Sequence, residues 1–370
     1  MLNKKRDVDL DMGSLGAGLM QWGTTAIDDA IVNPKGNLSD ETVRLLWKTC
    51  RDKDIVFFDT AEGYGGGTSE IRIREVRQWY SENYLNGQAD SNIVVATKYL
   101  PTLWRWTRYQ FLQAVRASAD RLGVEQIDLY FIHTPIHPLP IECFVQWACH
   151  AMDLGFIKEI GISNCNADLT RRAEAVANKN GKHVCCNQIM LNLLVWQSEK
   201  HQETVQTCHE LGIQIAAYSP IGQGLLTDNL TQNKFRNIRA VKMTGVTYPE
   251  LLPLRSQLQT LSQKYRCTMA QVAINWVRGH GAVPLIGIRQ VQQVEDVAES
   301  LKVALTEDEV RSLDKVSLGL SVFERPLYRR SLFVVFISIL QLAYNTELWY
   351  GRMKTFWSEA YARWKKKNRK

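Results

Sequence analysis

The amino-acid sequence predicts a (β/α)8 TIM barrel with a C-terminal helical extension. Two observations carry this. Eight short runs rich in β-branched and apolar residues recur along the chain, their starts about 25 to 40 residues apart with a wider gap before the last. Amphipathic stretches, with apolar residues at i, i+3, i+4 and i+7, fill the intervals. Strands alternating with helices imply parallel pairing through crossovers, and a count of eight implies closure. The chain has 370 residues, enough for a barrel of roughly 250 residues.

Taken in order, the strands are expected at Leu15–Leu19, Asp54–Phe58, Asn92–Thr97, Ile127–Ile132, Lys158–Ile162, Cys185–Met190, Gln214–Tyr218 and Ala282–Ile286. Helical patterns include Glu41–Arg51, Tyr109–Leu122, Leu139–Leu154, Glu199–Leu211 and Met269–Gly279. Gly123, Gly155, Gly212 and Gly281 stand where C-terminal caps are expected. A doubly wound open sheet is the alternative, but it begins with a Gly-rich turn into a helix. Here Gly16-Ala17-Gly18 leads to Trp22-Gly23, which reads as a strand end. The aperiodic stretch Leu226–Leu251 is expected to be a surface loop over the active-site end. The barrel is assigned to residues 1–322 and the extension to residues 323–370.

Apolar residues make up 45% and charged residues 22%, an ordinary globular balance that excludes disorder as the main theme. The net charge of +7 is not evenly spread. Residues 324–370 carry eleven Lys or Arg against three Glu, so the rest of the chain is near neutral. The basicity therefore says nothing about the barrel's ligands, and nucleic acid is not an expected partner. Eight cysteines form no CxxC pair and no metal-ligand spacing, which reads as reduced, mostly buried thiols. No apolar leader opens the sequence, and the expected location is cytoplasmic.

Chemistry in this fold sits at the C-terminal ends of the strands. The second strand runs into Asp59-Thr60-Ala61-Glu62-Gly63-Tyr64, the third ends at Lys98 and the fourth at His133. An acid, a phenol, an ammonium and an imidazole thus share one rim. A phenol with a pKa near 10 is a poor proton donor or acceptor at neutral pH. A cation a few ångströms away favours the phenolate by about 4 kcal/mol at intermediate dielectric. Lys98 supplies that cation and Asp59 holds it. His133 donates to a carbonyl oxygen, which Tyr64 protonates as a hydride reaches carbon. Each residue alone has an ordinary structural reading: Asp59 as a turn residue, Tyr64 on a loop, His133 as a satisfied core histidine. Their joint placement on three successive strands is what points to catalysis.

Several segments resemble the aldo-keto reductase superfamily. They are Phe58-Asp59-Thr60-Ala61-Glu62-Gly63-Tyr64-Gly65, Ala119-Asp120-Arg121-Leu122-Gly123, Ile127-Asp128-Leu129-Tyr130-Phe131-Ile132-His133, Gly161-Ile162-Ser163-Asn164, Ala217-Tyr218-Ser219-Pro220-Ile221-Gly222 and Ala270-Gln271-Val272-Ala273-Ile274-Asn275-Trp276. The branch most resembled holds plant and microbial oxidoreductases and the potassium-channel β subunits. The resemblance implies the same four catalytic residues and NADPH as cofactor. It further implies that Ser163, Asn164 and Gln188 bond the nicotinamide carboxamide and Tyr218 stacks on its ring. Ser219, Gly222 and Gly224 would meet the pyrophosphate. Gly287, Arg289, Gln293 and Asp296 would serve the adenosine end, Arg289 matching a 2′-phosphate. Val297 departs from the family's usual Asn and weakens the adenine contact. Trp22, Tyr99 and Trp104 are the candidate walls of the substrate pocket.

The tail is outside this resemblance. Ser331–Tyr344 is apolar on all faces but shorter than a membrane span of about 20 residues. Trp349, Met353, Phe356, Trp357, Ala360 and Trp364 then form one helical stripe beside a basic run. This pattern reads as a helix lying on a membrane surface, or as one packing on the barrel or on a membrane-protein partner. Two functions stay open: an NADPH-dependent oxidoreductase acting on a small aldehyde or ketone, and an NADPH-loaded redox sensor that regulates a membrane partner.

Overall fold

The computed structural model describes residues 10–23, 38–235 and 246–320. The expected extension 323–370, with its apolar and Trp-rich stretches, lies outside the described residues. Eight parallel strands close in sequence order: β1 Gly16–Gly18, β2 Phe57–Asp59, β3 Val94–Tyr99, β4 Ile127–Ile132, β5 Ile157–Ser163, β6 Val184–Met190, β7 Gln214–Tyr218 and β8 Ala282–Gly287. The last joins the first through Gly16 opposite Leu285 and Gly18 opposite Gly287. The expected (β/α)8 barrel is therefore the observed fold. The second strand begins later than expected, because Asp54 turns the chain with φ +55°. The third extends two residues further, so Lys98 lies inside it rather than at its end.

The helical ring follows from capping and periodicity. Thr107 and Gln110 form a reciprocal capping box at the start of helix Arg108–Leu122, which Gly123 ends at φ +67°. Gly212 ends helix Glu199–Leu211 in the same way, while Gly155 and Gly281 follow their caps by one residue. The expected loop Leu226–Leu251 needs correction. Gln232–Phe235 makes one helical turn, and helix Tyr248–Tyr265 starts inside the stretch. Thr247 with Glu250 and Pro249 at the first turn are the start signals that its lack of periodicity obscured. Residues 236–245 lie outside the described residues.

Two cores flank the sheet. Side chains of period two point alternately inward and outward. Outward residues such as Phe58, Val95, Tyr130 and Ile162 meet the helices, Phe58 stacking on Trp47 at 4.1 Å between ring centroids. Inward residues Phe57, Val94, Ala96, Leu129, Phe131, Cys186, Ala216 and Leu285 fill the barrel, with Leu10 and Met12 packed among them. Gly161 leaves room for the Phe131 ring, which would overlap any added Cβ. Six of the eight cysteines are buried, and none is in a disulfide. Counting two residues onward along each inward row gives Asp59, Lys98, His133, Ser163, Gln188, Tyr218 and Gly287. The barrel is thus filled by apolar rows and topped by a polar one. Among the described residues no helix is long and apolar enough to cross a membrane.

Candidate active site

Lys98 is the centre of this polar row. It is 0% exposed, and its ammonium donates to Asp59 Oδ2 at 2.7 Å, the Thr60 carbonyl at 2.7 Å and Tyr64 Oη at 3.2 Å. All three N–H protons are therefore committed. Burial by itself lowers the lysine pKa, but the Asp59 carboxylate and Tyr64 outweigh it and hold the group above its ordinary value. Asp59 is clamped from the other side by Gln188, whose Nε2 donates to Oδ1 at 2.7 Å.

Tyr64 opens the short turn Tyr64–Gly67, and Gly65, Gly66 and Gly67 all take positive φ. Only glycine adopts three such conformations in succession without strain. Gly23 lies flat against this turn: an added Cβ would stand 2.5 Å from the Tyr64 carbonyl carbon and the Gly65 nitrogen. Burial pushes the Tyr64 pKa above the ordinary phenol value; Lys98 pulls it down, as the sequence leads one to expect, but burial acts more strongly. The phenol therefore keeps its proton at neutral pH and is poised as a donor.

His133 follows β4, its ring edge-on to Tyr64 at 5.8 Å between centroids. Burial, reinforced by the Lys98 charge, drops its pKa to about 3. The ring is neutral at physiological pH and carries one N–H. Its Nδ1 is buried with no hydrogen-bond partner.

The structure brings Ser163, Asn164, Gln188 and Tyr218 to the same rim. Ser163 Oγ donates to the Gln188 carbonyl at 3.0 Å, and Asn164 takes φ +60°. The Asn164 amide donates to the His133 carbonyl at 3.1 Å and to Ser163 Oγ at 3.0 Å, and accepts from Tyr218 Oη at 2.8 Å. One amide thus ties three strand ends together. Beyond β7 the chain turns through Ser219, Gly222, Gln223 and Gly224, all at positive φ, and the turn is closed by Gly222 N–H donating to the Ser219 carbonyl at 3.0 Å and Gly224 N–H to the Ile221 carbonyl at 3.1 Å. At the end of the neighbouring β8, Gly287 has nothing within 4 Å of an added Cβ. Arg289 stands two residues beyond it. The chemistry of these groups fits a dinucleotide phosphate: amides and hydroxyls at the ends of β5 to β7, glycines after β7 and at the end of β8, and the Arg289 guanidinium two residues on.

Other expected residues are placed differently. Gln293 Oε1 accepts from the backbone N–H groups of Arg289 and Gln290 at 2.9 and 3.2 Å, so it shapes the start of helix Val291–Glu299. Asp296 is exposed and accepts from Gln292 at 2.9 Å. Trp22 and Tyr99, expected as pocket walls, are enclosed. Trp22 packs in the outer core with its indole N–H toward the Ile288 carbonyl at 3.3 Å. Tyr99 faces outward from β3, between Phe111 and Phe144. Of the three, only Trp104 is partly exposed.

Sequence reasoning missed two buried ion pairs behind the site. Glu70, wholly buried, accepts from Thr97 Oγ1 at 2.6 Å and from Arg121 Nε at 2.5 Å. Glu62 accepts from Arg105 through both oxygens. Glu62 and Arg121 lie within the segments singled out above, and a charged residue beside a buried strand end was the available signal.

A model of the aldo/keto reductase family matches residues 14–318. The chain belongs to the aldo/keto reductase family. Among curated relatives of this aldo/keto reductase, the chloroplastic pyridoxal reductase of Arabidopsis thaliana is 31% identical over 307 residues, covering 82% of this chain and 84% of that protein. An aldo-keto reductase of Strobilurus tenacellus is 31% identical over 209 residues, covering 54% of this chain and 60% of that one. Among solved structures, a Bombyx mori aldo-keto reductase in complex with NADP superposes with a TM-score of 0.64 at 22% identity, over 84% of this chain and 91% of that one. The family assignment makes the chain an oxidoreductase.

Proposed function

We propose that this aldo/keto reductase reduces a small aldehyde or ketone with NADPH, with Tyr64 as general acid. The single observation that carries the reading is the Lys98 ammonium, buried and bonded at once to Asp59 and to the Tyr64 hydroxyl. When bound, NADPH supplies the hydride. Tyr64 gives its proton to the carbonyl oxygen, and Lys98 stabilises the phenolate left behind. Neutral His133 donates its N–H to the same oxygen and orients it. Asp59 keeps Lys98 charged and fixed. Ser163, Asn164 and Gln188 would hold the carboxamide, Tyr218 would face the ring, the Ser219–Gly224 turn would meet the pyrophosphate, and Arg289 the 2′-phosphate.

The test is NADPH oxidation with a panel of aldehydes, pyridoxal among them because of the Arabidopsis relative's name. The wild type is expected to turn over, and Tyr64→Phe to lose about 100- to 10,000-fold in kcat, the usual worth of a general acid. A wild type that binds NADPH tightly yet reduces nothing would favour the redox-sensor reading instead.

A further inference from the structure

Beyond Tyr64 and Lys98, the loops after β2 and β3 are laced together. The segment after β2 runs on alongside β3: Thr60 N–H donates to the Ala96 carbonyl at 2.8 Å and Glu62 N–H to the Lys98 carbonyl at 3.3 Å. The Glu62 side chain continues the ladder, accepting from Leu100 N–H at 2.6 Å. Arg105 closes it. Its guanidinium bonds both Glu62 oxygens, one at 3.1 Å, donates to the Leu100 carbonyl at 3.1 Å, and lies over the Tyr99 ring at 4.9 Å. Glu62 is buried and stands two residues before Tyr64. Arg105 stands between Trp104 and Trp106, in a segment that also exposes Leu103 by 37% and Trp106 by 48%.

We propose that Arg105 is a positioning residue, whose pair with Glu62 locks the Tyr64 segment and the Leu103–Trp106 segment into one unit, so that proton delivery and the seating of an apolar or aromatic carbonyl substrate are set together. This rests on the reductase reading above. A bidentate guanidinium–carboxylate pair has one geometry, so it fixes orientation as well as distance. Without Arg105 the buried Glu62 carboxylate keeps a single backbone donor. Such a group either takes up a proton or swings outward, and in both cases the ladder to Leu100 loosens. Tyr64 and Trp104 then lose their common anchor.

The experiment compares wild type with Arg105→Met, Arg105→Lys and the double variant Glu62→Gln/Arg105→Met. It measures kcat and kcat/KM on an aryl aldehyde and a two- or three-carbon aldehyde, NADPH Kd, and amide exchange at Leu100. Arg105→Met is expected to lose about ten-fold or more in kcat, since small misplacements of reacting groups are that costly. Its preference for the aryl substrate should fall, Leu100 should exchange faster, and NADPH Kd should stay unchanged. Arg105→Lys should recover kcat more than it recovers the preference, because an ammonium cannot make the fork. The double variant, with no unpaired buried charge, keeps the test open if Arg105→Met does not fold: it should show the same loss of aryl preference. Wild-type kcat, preference and Leu100 exchange in Arg105→Met overturn the proposal. So does a loss of kcat matched by an equal loss of NADPH affinity and aryl preference intact, which marks general destabilisation. A wild type that reduces no aldehyde refutes the reductase reading and this proposal with it, and is told apart by the inactivity of the parent chain.

Discussion

Two titratable side chains on the rim have ordinary values that burial displaces in opposite directions: Tyr64 upward and His133 downward to about 3. The consequence for pH dependence has a definite sign. In the proposed mechanism, carbonyl reduction needs Tyr64 protonated. Because its pKa lies above the usual value near 10, reduction should be flat through neutrality and fall only in strongly alkaline buffer. Alcohol oxidation needs the phenolate and should rise with pH over the same range. His133 stays neutral until far below physiological pH, so neither direction should inflect near the ordinary histidine value of about 6.5. A kcat profile from acid to alkaline pH checks this, and an inflection near neutrality abolished by His133→Asn would refute it. Gly23 offers a steric test. Its backbone is extended at φ −73°, so alanine suits it conformationally, and only the Tyr64–Gly65 backbone stands in the way. Gly23→Ala should therefore fold while shifting Tyr64, lowering kcat by about ten- to 100-fold. Unchanged kcat would show that the turn absorbs the methyl group.

The elements deliver these side chains through strand parity. Asp59, Lys98 and His133 lie on the same inward rows as Phe57, Ala96 and Phe131. The strand ends were legible in the sequence and picked out Asp59, Tyr64, Lys98 and His133 as candidates; parity places three of them, while Tyr64 lies in the turn beyond β2. Parity also contained the correction for Tyr99: as Lys98's neighbour it must face the other way, into the helices. Trp22 was not legible in this manner, since it lies in a short turn beyond β1, where period two no longer applies. The ion pairs escaped for a different reason, because their partners lie 43 and 51 residues apart and no local pattern joins them. The Glu70–Arg121 pair supports helix Thr68–Tyr84 under the glycine turn, where the Arg121 side chain lies 2.7 Å from a Cβ added to Gly67. Arg121→Met leaves Glu70 buried without its cation and should cost about 3–5 kcal/mol by urea unfolding. Glu70→Gln/Arg121→Met should regain part of that. A double variant no more stable than the single one would show that the unpaired carboxylate is not what costs the stability.

For the molecule as a whole, the closed barrel and its helical jacket decide which nucleophiles solvent can reach. Burial raises the thiol pKa of Cys50, Cys185 and Cys208 to about 12 and of Cys149 to about 11, and raises Cys165 and Cys186 as well. Cys143 and Cys267 are the partly exposed ones. A thiol reagent should therefore label at most two groups quickly in the native protein and all eight after denaturation; fast labelling of a third native thiol would contradict the burial pattern. Lys98 follows the same logic. Amines condense with aldehydes through a free lone pair, and this amine has none to offer: it is sealed from solvent, held in its charged form and bonded through all three protons. If the proposed substrates are aldehydes, this burial keeps Lys98 from condensing with them to an imine.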